Sequence, residues 1–164
     1  MPDRMTSLPQ PFQGVGSDEP RAATATPPSP AVLGQAGIAN ALALRIEESL
    51  LGWRELDEEI FRYLGWEPIP NPTWSAGLGG RWRRGEITTG SEGAPFYTKS
   101  IDDAVMLIST GCEWSYDSHY KVAKVFRYVF VDGQGPDCLE FEGEGNSAAM
   151  SICVAALRER GAAE

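Results

Sequence analysis

The chain has 164 residues, 42% of them apolar, with 23 acidic against 14 basic side chains and a formal net charge of −9. That length and apolar content suit one globular domain with or without a tail, and they exclude a wholly disordered chain. The negative charge repels phosphate backbones and argues against general nucleic-acid binding, whereas a local basic patch could still hold an anion.

No apolar run approaches the roughly 20 residues of a membrane span, and the N-terminus lacks the continuous apolar segment of a secretory leader. A cytoplasmic, membrane-free protein is the expectation. Cys112, Cys138 and Cys153 are three in number and widely spaced, and His119 is the single histidine. Neither a disulfide framework nor a metal-ligand set follows from these residues, so no metal and no cofactor are expected. Each cysteine lies in an apolar stretch and reads as a small buried hydrophobe.

Residues 1–38 are rich in Pro, Ala, Thr, Ser and Gly, with Pro27, Pro28 and Pro30 close together. Such composition buries too little apolar surface to offset ordering entropy, so a flexible tail is expected, with a single domain over 39–164. Leu8, Phe12 and Ala31-Val32-Leu33 leave open a tail that folds onto a partner. Asn40 can cap a first helix, in which Leu42, Ile46, Leu50 and Trp53 share one face. A second helix spans about Arg54 to Leu64. Leu56, Ile60, Phe61 and Leu64 form its stripe, Asp57, Glu58 and Glu59 its solvated side, and Gly65 its C-cap.

Pro68 to Pro95 reads as a long irregular loop, a kind often functional when ordered. Ser100 then opens a third helix through a capping box with Asp103, with Ile101, Ala104, Val105 and Ile108 buried. Three strands follow. Cys112, Trp114 and Tyr116 alternate with polar residues. Tyr120 to Val131 is apolar on both faces, which implies cover on both sides. Cys138 to Glu142 forms the third strand, after the turn signal Asp132-Gly133. A last helix runs from Asn146 or Ser147 to Arg160, with Ala149, Ile152, Cys153, Ala156 and Leu157 facing inward. The expected class is α+β, a three-stranded antiparallel sheet between helices in α-β-α layers.

Three blocks carry a resemblance. They are Tyr97-Thr98-Lys99-Ser100-Ile101-Asp102-Asp103-Ala104 with Gly111-Cys112-Glu113-Trp114, the run Ala148 to Arg158, and Arg54 to Ile60 with Leu64-Gly65-Trp66. Over about residues 41–160 they resemble the phage ABA sandwich domain family of tailed bacteriophages and prophages. The resemblance implies helix–sheet–helix layering, a phage or prophage origin and a host bacterial cytoplasm. It implies no catalytic residue.

Among candidate sites, His119 lies in a turn, where a histidine is ordinarily an exposed loop residue. Gly77-Leu78-Gly79-Gly80 lacks the strand and the GK[ST] ending of a phosphate loop. Glu140, Glu142 and Glu144 alternate along one strand. Such carboxylates could serve a hydrolase, but on an edge strand they more commonly keep the edge soluble. The basic-aromatic block Trp74, Arg81, Trp82, Arg83 and Arg84 is the candidate ligand-binding site, since guanidinium groups grip phosphate or carboxylate and indoles stack. The plainer alternative, which weighs more, packs both tryptophans on the core and pairs the arginines with surface acids. The expected function is an accessory binding module without catalysis, for a small anionic ligand or a protein partner in host interference. A small hydrolase using the strand carboxylates and a virion structural protein are the alternatives, and a homo-oligomer is left open.

Overall fold

A computed structural model describes residues 34–70, 80–89, 93–131, 133 and 135–162. Four helices occur in it: α1 (Gln35–Glu48), α2 (Arg54–Tyr63), α3 (Ile101–Val105) and α4 (Ala148–Gly161). Six strands form two antiparallel sheets. A small one joins β1 (Glu67–Pro68), β2 (Trp82–Arg84) and β3 (Ile87–Thr88); the main one joins β4 (Glu113–Asp117), β5 (Val122–Val131) and β6 (Gly135–Glu144). The protein is α+β with a three-stranded antiparallel sheet, as the residue pattern implies. The expected tail lies almost wholly outside the described residues.

The organising element is α4. Ser147 caps it, its hydroxyl accepting from the Met150 amide at 3.2 Å. Every residue from Ala149 to Leu157 is buried, so this helix has no wet side. An all-round buried helix needs cover in every direction. Strands β5 and β6 lie against it on one side, and α1 and α3 pack on it as well. Small residues make the close approach feasible. At Gly143 of β6 a Cβ would collide with the backbone of Ala155 and Ser151, and at Gly161 it would meet Asn40 and the carbonyl of Ala36 at 3.1–3.2 Å.

The layering therefore places a helix, α4, in the middle position. Register puts Ala123, Val125 and Arg127 of β5 on one face with Trp114, Tyr116 and Phe141. Ala123 and Val125 are buried there against α4, and Arg127 reaches its C-terminal turn. The opposite face carries Val122, Lys124, Phe126, Tyr128 and Phe130. Among the described residues no helix covers it, and Tyr128 and Phe130 are exposed. Cover of β5 by helices is thus met on one face. Apolar alternation alone does not distinguish a covered face from one that stays open.

Other elements shift in detail. Helix α1 begins at Gln35, ahead of the expected cap at Asn40, because Ala39 packs in the core and Ala36 and Asn40 lie beside Gly161. It stops at Glu48, which leaves Leu50 and Trp53 exposed instead of in the stripe. Ser100 caps α3 as expected, accepting from the Asp103 amide at 3.2 Å. The Asp103 carboxylate, however, accepts from the Phe96 amide at 2.8 Å and does not close a capping box. Ala104 is buried as expected and Val105 and Ile108 are half-buried, but Ile101 is exposed and Leu107 is buried in its stead. The 68–95 stretch contains the small sheet, whose strands of two or three residues are too short to show a period.

Candidate functional site

The site starts from a helix end. Gly65 has φ of 85°, a conformation natural to glycine, and it reverses the chain after α2. The Trp66 amide donates to the Phe61 carbonyl at 3.1 Å and the Gly65 amide to the Arg62 carbonyl at 2.9 Å. These two bonds are the paired closure of a Schellman motif, in which the residue beyond the glycine folds back onto the last turn. Trp66 accordingly stacks on Phe61, with ring centroids 4.7 Å apart and planes 15° apart. Phe61 also meets Trp82 edge-on at 5.3 Å and Tyr97 at 6.3 Å. One aromatic hub thus joins α2, the small sheet and the segment before α3.

Beside the hub opens a cleft of about 550 Å³. Phe61, Trp66 and Tyr97 supply aromatic wall, Met106 an apolar patch, and Arg84 and Arg160 the charge. Burial pushes the Tyr97 hydroxyl well above the usual phenol range, so it stays neutral. Arg84 lies over the Trp66 ring at 5.7 Å and donates to the Leu64 carbonyl at 3.3 Å. Arg160, near the end of α4, donates through Nε to the Leu107 carbonyl at 2.6 Å. Among the described residues, neither guanidinium has a carboxylate partner.

The basic-aromatic block separates into different roles. Trp74 lies outside the described residues. Trp82 is 3% exposed, packed on Phe61 with Arg62 over its ring at 5.2 Å, so it offers no free face for stacking. Arg81 is exposed, and Arg83 pairs with Glu67 at 3.2 Å. Of the four described members of the block, only Arg84 lines the cleft. Strand alternation explains the split: Trp82 and Arg84 share one side of β2, while Arg83 points to the other. Its companions Trp66 and Arg160 come from distant parts of the chain.

The remaining candidates resolve plainly. His119 is exposed in its turn, and the Asp117 carboxylate accepts from the His119 and Tyr120 amides at 2.8 and 3.2 Å. That carboxylate serves the turn backbone. Glu140 and Glu142 both pair with Lys124, and the lysine holds the Glu142 carboxyl below the usual range. Two of the three alternating carboxylates are thus engaged by one lysine on the neighbouring strand. Of the cysteines, Cys153 is buried and donates to the Tyr97 carbonyl at 3.0 Å, Cys112 is half-buried, and Cys138 is exposed, so burial of all three does not hold. Cys138 stands at the outer part of β6, on the face no helix covers. Among the described residues no cluster of His, Cys, Asp or Glu is arranged for a metal, and no helix is long and apolar enough to cross a membrane.

Two buried charged groups escape the sequence reading. Asp57, expected on the wet side of α2, is fully buried. One carboxylate oxygen accepts from the Thr98 amide and hydroxyl at 2.8 and 2.9 Å, while the other has no hydrogen-bond partner among the described residues. Desolvation raises its pKa despite those bonds. The spacing held the signal, since Asp57 lies three and four residues before Ile60 and Phe61 and so shares their face. Glu159, 1% exposed on α4, accepts from Ser109 at 2.7 Å and pairs with Arg127 at 3.0 Å. Its spacing of seven from Ile152 and three from Ala156 places it on the inner face.

Compared with protein-family models, curated proteins and solved structures, the chain has no match in any of the three.

Proposed function

We propose that this protein is a binding module without catalysis, which holds a small anionic ligand in the Trp66–Arg84–Arg160 cleft. One observation carries the reading: two arginines without carboxylate partners among the described residues face one aromatic-walled cleft, in a chain of net charge −9. Two guanidinium groups at one concavity, with no acid beside them among the described residues, suit an anion from outside. The aromatic wall suits a ligand with a flat apolar part. The described lining contains no His, Cys, Asp or Glu, which supports retention over turnover. The resemblance to phage ABA sandwich proteins supplies the setting of this proposal, an accessory protein of a phage or prophage in the host cytoplasm.

The test is calorimetric titration of mononucleotides and cyclic dinucleotides, as flat anions, into wild type, Arg84→Ala and Arg160→Ala. Arg83→Ala is the control, because that side chain already pairs with Glu67. A hydrogen bond to a charged group is worth roughly 1.5–3 kcal/mol, so each cleft variant should bind about ten- to a hundredfold more weakly. Arg83→Ala should bind like wild type. Equal affinity in all four proteins refutes the assignment, as does a wild type that binds none of these anions.

A further inference from the structure

The main sheet has an unguarded edge away from the cleft. Strand β4 pairs with β5 only over Val122–Phe126, whereas β6 follows β5 to Val131. Among the described residues, 127–131 of β5 therefore face no strand on the β4 side. A strand edge presents rows of unpaired amides and carbonyls, and proteins ordinarily guard such edges with charge, proline or a bulge. The outer edge, β6, is guarded in that way by Pro136, Glu140, Glu142 and Glu144. Tyr128-Val129-Phe130-Val131 carries neither charge nor proline. The guanidinium of Arg127 is turned inward, to Glu159 and the Ala162 carbonyl. Phe130 is 85% exposed and Tyr128 48%.

We propose that this edge is a homodimer interface, in which two copies join β5 to β5 antiparallel about a two-fold axis at Val129. Register selects a second copy, and charge selects where two copies meet. Two identical strands satisfy each other's edges at once under a two-fold axis, which closes the assembly at a dimer. The register using all five bare residues pairs Arg127 with the partner's Val131, Tyr128 with the partner's Phe130, and Val129 with its own counterpart. Sliding further along would run the incoming strand into Glu113, which already pairs with Phe126. Cross-strand partners share a face, so each Tyr128 stands beside a Phe130 on the side that no helix covers, a favourable aromatic pair. With a net charge of −9, two copies repel each other over most of their surface. Contact is least opposed where the meeting strand is neutral, as Tyr128 to Val131 is.

Sedimentation equilibrium of the full 164-residue chain tests the interface, with circular dichroism confirming that each variant is folded. Wild type should reach twice the monomer mass at tens of micromolar, and Phe130→Lys should raise the dissociation constant at least tenfold. Because Phe130 is exposed, that substitution leaves the core intact. Val129→Cys in a Cys138→Ser background should form a covalent dimer on mild oxidation, since Cα atoms directly opposite are about 4.5–5.5 Å apart, within disulfide reach. A wild type monomeric throughout the range overturns the proposal, even if it captures a strand of another protein. A dimer indifferent to Phe130→Lys, or one that Val129→Cys does not cross-link, overturns it equally.

Discussion

Gly143→Ala should be among the most damaging single substitutions in this domain, although it adds only a methyl group. Position 143 lies within β6, with no left-handed conformation that would favour glycine, so the constraint is one of space. A Cβ there would stand 2.9 Å from Val154 Cβ and closer still to the Ala155 amide nitrogen and the Ser151 carbonyl. Ordinary contact begins near 3.4 Å, so relieving the Val154 contact alone requires about 0.5 Å of retreat. The nearest atoms are helix backbone and cannot swing aside, so α4 must move as a body. A gap of 0.5–1 Å forfeits roughly a quarter to a half of each dispersion contact across it. Overpacking of this kind costs about 3 kcal/mol, equivalent to a fall in Tm of roughly 10–15 °C for a domain of this size. Chemical denaturation beside Gly80→Ala isolates the effect, because among the described residues nothing lies within 4 Å of a Cβ at Gly80. The control should stay within about 0.5 kcal/mol of wild type. A difference under about 1 kcal/mol between the two variants would refute the close-approach reasoning.

Arg127→Ala should destabilise by about 3 kcal/mol or more in urea unfolding, since it leaves the buried Glu159 carboxylate with Ser109 and Cys112 as its side-chain partners among the described residues. Adding Glu159→Gln to it should restore part of that loss, and no restoration would mean that the arginine acts mainly by packing on Phe141. Asp57 makes stability depend on pH. Its folded pKa lies above the ordinary 3.8, so the folded state holds the proton more tightly than the unfolded one. That contribution is complete below 3.8 and is lost as pH rises through the folded pKa. Asp57→Asn keeps an acceptor for the Thr98 bonds, so it should gain stability relative to wild type as pH rises from about 3.5 to 7; denaturation midpoints of both proteins along that range check it, and a relative loss with rising pH would refute the sign.

Local signals were legible where one residue type has one physical use. Gly65 after an apolar stripe means a left-handed C-cap, and Ser100 before a helical run means an N-cap, while the last helix was left to start at Asn146 or Ser147 and is capped by Ser147. The long alternating strand was also plain. Three features were not, each for a different reason. The two- and three-residue strands of the small sheet are shorter than any period. The exposure of Tyr128 and Phe130 depends on which face α4 occupies, and both faces of β5 are apolar. The cleft joins Phe61, Trp66, Arg84, Tyr97 and Arg160, which the chain separates by as much as a hundred residues, so no window along the sequence contains it. Arg84 fell inside the basic-aromatic block while Trp82 beside it proved to be core. Alternation within β2 gives two sides of a strand, but not which one meets Phe61.

The central position of α4 has a consequence for biosynthesis. Every element that packs on this helix precedes it in the chain. While the ribosome is still making residues 35–147, the apolar faces of α1, α3 and the main sheet lack the helix they close upon. The nascent domain thus stays open until α4 emerges, and chaperones that hold exposed apolar segments have their longest opportunity in that interval. Translation arrested before residue 148 would release a chain with its layers made and its keystone missing, a species suited to proteolysis rather than to slow maturation.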